Sequence, residues 1–322
     1  MGKIPKARIF LILLWVVCGS IFSQNARSAS PLRLGMGAWA GYQPFYLAKD
    51  IGLFKDNSVK LISLTSNAET LRAFQSGAID AAALTLDEAL QLAENEINVR
   101  AVLVIDFSQG ADVILAKPEF KTLPELKGKK VGVESTALGA YILSRALELN
   151  GMNPTDVQIV PLEVAQHEEA FRNGLIDAVS TYEPAKTKLV SAGANVVFDS
   201  SRIPGEVVDV LIIREDYARE HRKEITTLVN AWFQALDFLQ KNPNEASQKM
   251  SQRLKITPQE SLASFEGMKM PSRTENRDLF AGSPSSLSTT GQKLMQLMLD
   301  HKFLSKTVDV NKIFRNDLFE NS

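Results

Sequence analysis

Short β-branched runs alternate with helical patterns from Leu32 to Ile213. The first predicted strand, Leu32–Met36, leads through the turn GAWAGYQP into a helix, and the same order recurs downstream. Strands that alternate with helices are typical of parallel sheets in an α/β fold. Beyond the run VVDVLIIRED (Val207–Asp216) the pattern predicts helices only, around a Ser-, Pro- and Asn-rich loop over Met270–Ser288. The predicted helices there are Ala218–Gln240, Pro243–Arg253, Pro258–Phe265 and Thr289–Asp300.

Two stretches of the chain repeat one design. AFQSGAIDA begins at Ala73 and AFRNGLIDA at Ala170, and each is predicted to be a helix closed by a glycine and followed by a buried strand. A glycine suits the end of a helix because it adopts the left-handed conformation without steric cost. Two β-α-β-α-β units therefore predict two lobes: residues 31–114 with 211–322 form the first lobe, and residues 115–210 form the second. Two crossing segments would then form a hinge, and a hinge implies closure around a ligand.

The N-terminus has the pattern of an export signal. Basic residues precede the apolar run IFLILLWVVC (Ile9–Cys18), and small and polar residues follow it to Ser30. The run is shorter than the ~20 apolar residues that a membrane-spanning helix needs. We expect residues 1–30 to be a signal peptide and the mature protein to be periplasmic. Cys18, the only cysteine, is either a lipid-modified anchor or an ordinary residue of a signal that is cleaved near Asn25–Ser28.

The net charge of the 322-residue chain is −1, and the sequence contains no block of basic residues. This balance does not suggest a nucleic-acid surface. The candidate site follows from the topology instead, because ligands of open α/β sheets bind beyond the carboxyl ends of the strands. The stretches at those ends are Trp39–Pro44, Thr65–Asn67, Thr85–Glu88, Asp106–Asp112, Glu134–Gly139, Glu163 and Thr181–Pro184.

Acidic residues dominate these strand ends, and no Arg or Lys falls there. The acidic residues are Asp87, Glu88, Asp106, Asp112, Glu134, Glu163 and Glu183. Unpaired carboxylates in a dry cleft repel an anion and favour an amine or a donor-bearing pyrimidine ring. Trp39 and Tyr42 either hold a cation or a flat ring on an aromatic face or pack in the core. Ser135 and Thr136 open a helix whose N-terminus either binds an anion or is simply capped by their side chains.

Several motifs resemble the substrate-binding proteins of ABC importers, in the branch that serves nitrate, sulfonates, taurine and the pyrimidine precursor of thiamine. The motifs are GYQPFYLAKDIGLF, AFQSGAIDAA, ELKGKKVGV and GLIDAVSTYEP, and the resemblance covers Leu32 to about Ile213. It implies an α/β protein with the two-lobed periplasmic-binding-protein fold of type II, which hands a small solute to an ABC permease in the inner membrane. We expect a monomer that closes around its solute, without a cofactor or a metal.

The resemblance also implies ligand contacts from the first turn, from the loops after the second and third strands, and from two stretches of the second lobe. Two acidic strand ends, Asp87 and Asp112, join these contacts in the predicted site. The full set is Trp39, Tyr42, Gln43, Asn67, Thr85, Asp87, Asp112, Glu134, Ser135, Thr136, Thr181 and Glu183. The expected solute is neutral to cationic, of the thiamine-pyrimidine or amine-bearing kind, and a sulfonate- or nitrate-type anion is the alternative.

Two other classes of function remain open. A periplasmic sensor would hand its closed form to a membrane receptor in place of a permease. An enzyme like the pyrimidine-precursor synthases, which share this fold, is disfavoured because their chemistry needs a Cys-rich motif that the mature chain lacks. His167, His221 and His301 are scattered along the chain and are predicted to lie on solvated helix faces. We therefore expect no catalytic activity.

Overall fold

The computed structural model describes Gly2 and residues 30–54, 58–134 and 137–314. Pro31–Ser322 form one compact unit. Residues 3–29, and with them Cys18, lie outside the described residues, as do Ser135 and Thr136, so the expectations for them stay predictions. Across the described part of the chain, no helix combines the length and the apolar character needed to cross a membrane.

Two sheets form the framework of this unit. In chain order the strands are β1 (Leu32–Met36), β2 (Val59–Ser63), β3 (Ala81–Thr85), β4 (Val99–Ser108), β5 (Val113–Ala116), β6 (Lys130–Val133), β7 (Gln158–Pro161), β8 (Ala178–Thr181), β9 (Asn195–Asp199), β10 (Val208–Arg214) and β11 (Met268–Lys269). The first sheet has the order β11-β4-β10-β3-β1-β2, and the second has the order β7-β6-β8-β5-β9.

Thirteen described α-helices cover the sheets. They are α1 (Gln43–Asp50), α2 (Asn67–Gln75), α3 (Leu86–Glu94), α4 (Ala137–Leu149), α5 (Val164–Arg172), α6 (Ala185–Ser191), α7 (Glu215–Glu220), α8 (Arg222–Lys241), α9 (Pro243–Leu254), α10 (Pro258–Ala263), α11 (Arg273–Phe280), α12 (Ser286–Asp300) and α13 (Val310–Ile313). This arrangement is the two-lobed α/β architecture that the sequence predicts.

The prediction of parallel sheets is correct for the first strands of each sheet and wrong for the strands next to the crossings. β1 runs parallel to β2 and β3, and β6 runs parallel to β7 and β8. β10 is antiparallel to β3 and β4, and β5 is antiparallel to β8 and β9. The chain changes sheet between β4 and β5 and again between β9 and β10, so β5 and β10 enter their sheets against the local direction. The lobe boundaries at 114/115 and 210/211 stay predictions.

The repeated glycines end their helices as predicted. Gly77 follows α2 with φ of 74°, and Gly174 follows α5 with φ of 71°. Both values lie in the left-handed region, where a residue with a Cβ is strained. β3 and β8 then run through the interiors of their sheets and end at Thr85 and Thr181, which brings two of the predicted site residues to the same side of the molecule as the turn after β1.

The segment after β10 is more than a set of helices, which corrects the sequence prediction. Met268 and Lys269 form β11 against the end of β4, and α11 occupies the stretch predicted to be a loop. α11 begins with a capping box: Ser272 Oγ accepts from Glu275 N at 3.2 Å, and Glu275 Oε2 accepts from Ser272 N at 2.8 Å. Two reciprocal hydrogen bonds satisfy backbone donors at a helix start, so the Ser-rich composition that indicated a loop contains a helix signal.

Asn276 of α11 is buried against β4 and replaces a missing strand partner. Its Oδ1 accepts from Val104 N at 2.8 Å, and its Nδ2 donates to Val104 O at 3.1 Å and to Pro271 O at 3.2 Å. Asn276→Ala should lower the free energy of unfolding by about 2–4 kcal/mol, because two buried backbone groups lose their partners. Urea denaturation measures this loss, and the exposed neighbour Arg277→Ala serves as the control. A loss equal to that of the control would contradict this role.

The prediction that the three histidines lie on solvated helix faces is wrong. His167 is fully buried, and its Nδ1 lies 3.1 Å from Thr181 Oγ1. His301 Nδ1 lies 2.8 Å from Ser144 Oγ, and Nε2 lies 3.1 Å from Glu148 Oε2. Ser144 and Glu148 belong to α4, next to the second sheet, so His301 is half-buried because the C-terminal segment meets α4 there.

His221 is half-buried and stacks on Tyr217, with ring centroids 3.9 Å apart. The stacking covers one face of the imidazole ring. The two residues are four apart at the end of α7, where His221 N donates to Tyr217 O at 3.0 Å, so the helical spacing places their rings side by side.

Candidate functional site

The aromatic turn after β1 faces two carboxyl groups. A short 3-10 turn, Ala40–Tyr42, leads into α1, whose first turn contains Pro44. Trp39 Nε1 donates a hydrogen bond to Asp106 Oδ2 at 3.2 Å, and the Tyr42 hydroxyl donates to Asp209. Both rings are buried. The turn therefore carries aromatic residues because their polar edges bind acids at the ends of neighbouring strands.

Asp106 and Asp209 are neighbours across β4 and β10. The antiparallel register places Asp209 directly opposite Asp106, and both side chains are almost wholly removed from solvent. Oδ1 of Asp106 is buried and has no hydrogen-bonding partner among the described residues. Two like charges in this position would repel each other strongly in a low-dielectric interior.

The start of α3 adds two more buried acids. Glu88 Oε2 accepts from Thr85 N at 3.1 Å and from Asn67 Nδ2 at 3.2 Å. Glu88 thereby forms the capping box of α3 with Thr85. Asp87 lies beside it in the first helical turn, with less than a fiftieth of its surface exposed. Capping explains one oxygen of Glu88 and leaves the rest of this acidic surface to be explained.

Groups from the second lobe meet these residues across the cleft. Glu134, which follows β6, accepts from Ala68 N at the start of α2, with Oε1 3.2 Å from the nitrogen. Tyr182, which follows β8, packs edge-on against Trp39, with ring centroids 5.4 Å apart and an interplanar angle of 87°. These contacts join the two lobes directly, so the structure is a closed form.

A small cavity of about 10 Å³ lies between the lobes. It is lined by Trp39, Tyr42, Asn67, Thr85, Asp112, Leu138, Tyr182 and Asp209. A cavity of this size is about large enough for one water molecule. A solute with several non-hydrogen atoms therefore enters only when the lobes separate.

Burial is the main cause of raised pKa values for the acids around this cavity. Removal from water penalises the charged form of a carboxyl group. The pKa rises to about 6 for Asp87 and Asp112 and to about 7 for Asp106 and Glu134. Burial and then the charge of Asp106 raise the pKa of Asp209 well above the usual range, and burial and then Asp87 raise that of Glu88. A positive charge in the cleft would reverse these effects.

Acceptor atoms are in excess in the cleft. Buried oxygens of Gln43, Asn67, Asp87 and Glu88 have no hydrogen-bonding partner among the described residues. Each such atom costs free energy unless a donor reaches it. The arrangement suits a guest that donates several hydrogen bonds. In the part of the chain that the structure describes, no three of these acids are grouped as metal ligands.

The structure brings ten of the twelve predicted site residues to this region. Trp39, Tyr42, Asn67, Thr85 and Asp112 line the cavity, and Gln43, Asp87, Glu134, Thr181 and Glu183 are buried around it. Glu183 Oε2 accepts from Thr187 N at 3.1 Å, as a helix-capping group does. Whether these residues contact a solute stays a prediction.

Of the cavity-lining residues, sequence reasoning missed Asp209, whereas Leu138 and Tyr182 lie within the predicted cleft stretches Glu134–Gly139 and Thr181–Pro184 but not in the predicted set of contacts. The sequence does contain a signal for Asp209, because this acid interrupts the apolar run VVDVLII, which the sequence analysis assigns only to a strand that connects the two lobes. Sequence reasoning also missed Lys186 of α6, whose Nζ donates to Gly110 O at 3.1 Å and lies 3.8 Å from Glu183 Oε1. Lys186 reaches the rim from one turn inside a helix, so inspection of strand ends did not reveal it.

Comparison with protein families gives one match, to a family described as NMT1-like, over residues 25–255. A protein of Escherichia coli (strain K12) described as aliphatic sulfonates-binding is 23% identical over 311 residues, which cover 94% of this chain and 95% of its own. The taurine-binding periplasmic protein of the same organism is 24% identical over 182 residues, covering 56% of this chain and 57% of its own.

Solved structures share the fold. The alkanesulfonate-binding protein SsuA from Xanthomonas axonopodis pv. citri, bound to MOPS, superposes with a TM-score of 0.74 at 18% identity, covering 88% of this chain and 98% of its own. The periplasmic nitrate-binding protein NrtA from Synechocystis PCC 6803 gives 0.72 at 16% identity, covering 90% and 87%. The desulfurization enzyme DszB gives 0.62 at 14% identity, covering 87% and 95%.

These findings confirm the family resemblance and the periplasmic-binding-protein fold. The relatives described above are binding proteins, although the fold also occurs in an enzyme. Their described ligands are sulfonates and taurine, and the nitrate binder has the same fold. The comparisons therefore favour the sulfonate or nitrate alternative over the thiamine-pyrimidine solute that the sequence analysis put first.

Proposed function

Because the chain belongs to the NMT1-like family, we propose that it is a periplasmic solute-binding protein that captures a small solute between its lobes and delivers it to an ABC permease. The observation that carries this proposal is the acid-lined cavity, whose walls come from both lobes. The open form binds the solute on one lobe, and the second lobe then closes over it. Contacts available only in the closed form shift the population toward closure.

The solute carries a protonated nitrogen. Two buried carboxyl groups, of Asp112 and Asp209, line the cavity, and further buried carboxyl groups lie near it, at Asp87, Glu88, Asp106, Glu134 and Glu183. No Arg or Lys is among the described residues that line it. An ammonium group supplies both the positive charge and the hydrogen-bond donors that these oxygens require.

The solute also carries an anionic group of the sulfonate kind. The relatives described as taurine-binding and aliphatic sulfonates-binding support this part of the proposal. The cleft contains one place that accepts an anion in the closed form, because Glu134 binds the backbone N–H of Ala68 at the start of α2. Helix starts favour negative groups through their free N–H donors and the helix dipole. A sulfonate would replace the Glu134 carboxyl group there.

An aminosulfonate such as taurine meets both requirements, so it is the solute class that we propose. The sequence analysis anticipated the amine, and the comparisons favour the sulfonate. Two alternatives stay open to test: a sulfonate or nitrate without an amine, which the relatives favour, and an amine or aminopyrimidine without an anion, which the acidic lining favours. A periplasmic sensor would differ in its membrane partner and not in this chemistry.

A matched set of solutes tests the proposal by thermal unfolding of residues 31–322. Taurine has both groups, ethanesulfonate lacks the amine and ethylamine lacks the sulfonate; nitrate and an aminopyrimidine complete the panel. A solute at one hundred times its Kd adds about 2.7 kcal/mol of stability, a shift of several degrees. Taurine should shift the midpoint at a concentration where neither half does. An equal shift with ethanesulfonate, or with ethylamine, would overturn the two-part requirement and indicate the corresponding alternative.

A further inference from the structure

The acids around the cavity differ in how they are satisfied. Glu88 and Glu134 accept hydrogen bonds from backbone N–H groups. Asp106 and Asp209 instead lie opposite each other in register across two strands, both are buried, and Asp106 Oδ1 has no hydrogen-bonding partner among the described residues. Two neighbouring carboxyl groups removed from water cannot readily both be ionised, because the like charges repel each other and neither is solvated, so we expect one of the pair to carry a proton.

Two neighbouring side chains donate hydrogen bonds to the pair. Trp39 Nε1 donates to Asp106 Oδ2, and the Tyr42 hydroxyl donates to Asp209. The other charged or titratable groups that act on the pair are Glu88, Asp112 and Tyr182, and none is a cation. The acidic groups disfavour a second negative charge on the pair, and the two donors support the first. The closed form is therefore suited to one charge and one proton on the pair.

The pair lies at a place built for a ligand. Asp209 lines the cavity between the lobes, and so does Asn67. Asn67 is 4% exposed, and its Oδ1 has no hydrogen-bonding partner among the described residues. A cation that enters this cavity reaches both Asp209 and an acceptor that needs a donor.

We propose that the Asp106–Asp209 pair holds one proton in the ligand-free closed form and exchanges it for the protonated nitrogen of the solute. The O–H bond of the pair breaks, the proton passes to the solvent, and both carboxylates face the ammonium group. No electron is transferred and no other covalent bond changes. This inference rests on the proposed function for the nature of the solute, whereas the proton on the pair is a property of the protein alone. Capture therefore releases one proton, and affinity rises about tenfold per pH unit below the point at which the pair ionises.

Infrared difference spectroscopy of the ligand-free protein near neutral pH tests the proton directly. The spectrum of the wild type minus that of Asp209→Asn should show the C=O band of a protonated carboxyl group. The spectrum of the wild type minus that of Asp106→Asn should show the same band, because either substitution removes the shared proton. The exposed Asp237→Asn is the control and should leave it in place. Circular dichroism and thermal unfolding verify that each variant folds. Absence of the band from both differences would overturn the inference, whatever the protein binds.

Titration calorimetry with taurine in two buffers of different ionisation enthalpy measures the exchange. Wild type should release about one proton per bound taurine, and Asp209→Asn should release close to none while it binds more weakly. Binding without a dependence on the buffer would contradict the exchange and leave the proposed function standing. Failure of taurine to bind, with the infrared band present, would overturn the proposed solute and not the protonated pair.

Discussion

Gly41→Ala is expected to weaken solute binding about 100-fold while the protein still folds. A Cβ at this position would overlap Trp39 Nε1 and the Oδ2 of Asp106, and it would lie 2.8 Å from Trp39 Cδ1. Contacts below 3.0 Å essentially never occur, so the Trp39 ring and the Asp106 carboxyl group must move apart. Overpacking costs about 1–3 kcal/mol of stability. The substitution thereby removes the hydrogen bond between Trp39 and Asp106 and displaces the Trp39 ring, which lines the cavity. Together these losses correspond to about 3 kcal/mol of binding free energy, or about 100-fold in Kd.

Gly151→Ala is the matched control for this effect. Gly151 follows α4 with φ of 66°, and a Cβ there meets nothing within 4 Å. Alanine is strained at this φ and should cost stability of about 1 kcal/mol without a change in the cleft. Calorimetry of both variants separates the two costs. If Gly41→Ala binds as tightly as Gly151→Ala, the Trp39–Asp106 contact has no part in binding.

The ligand-free protein is expected to lose stability as the pH rises from about 6.5 to 8. A carboxyl group whose folded pKa is raised contributes stability below its unfolded pKa, and that contribution is lost as the pH rises through the folded pKa. The folded pKa is about 7 for Asp106 and Glu134, and burial raises the pKa of Glu88 and Asp209 well above the usual range of a carboxyl group. At about 1.36 kcal/mol per pKa unit, Asp106 and Glu134 together should remove about 1.5 kcal/mol over this window, and Glu88 and Asp209 change the stability in the same direction. Urea denaturation at several pH values measures the fall.

His167 changes the stability in the opposite direction, and it does so only below about pH 6.5. Burial lowers its pKa to about 4. The unfolded chain then takes up a proton that the folded protein does not, so stability falls as the pH drops below about 6.5. Above that value His167 contributes almost nothing to the slope. Asp209→Asn should flatten the fall between pH 6.5 and 8, and a wild-type stability that rises over this window would contradict the buried acidic cluster.

Much of the fold follows from short-range signals. Short apolar runs locate the strands at Leu32–Met36 and Ala81–Thr85, and the glycines at Gly77 and Gly174 mark the helix ends. β11 and α11 were missed for identifiable reasons. A two-residue strand has no periodicity of its own, and β11 exists because β4 offers a free edge. The start of α11 depends on a capping box inside a Ser- and Pro-rich stretch, where composition indicates a loop.

The sequence predicts which strand ends contribute to the site, but it does not predict which side chains from different strands lie next to each other. The rule that ligands bind beyond the carboxyl ends of parallel strands identified Asn67, Thr85 and Asp112. It does not apply to β10, which runs antiparallel, so Asp209 enters the cavity from the start of its strand. The register that sets Asp209 opposite Asp106 depends on pairing between distant segments. Two irregularities in that ladder lie within the same strand pair, and no local pattern encodes them.

Identification of the solute that the protein carries tests the proposed function most directly. The chain is expressed with its own residues 1–30, recovered from the periplasm without denaturant, and examined by native mass spectrometry at about neutral pH. We expect a bound solute with a basic nitrogen and a sulfonate group, and we expect this solute to dissociate when the pH is lowered to about 5. A bound sulfonate or nitrate that lacks a basic nitrogen, or binding that strengthens at low pH, would contradict this expectation.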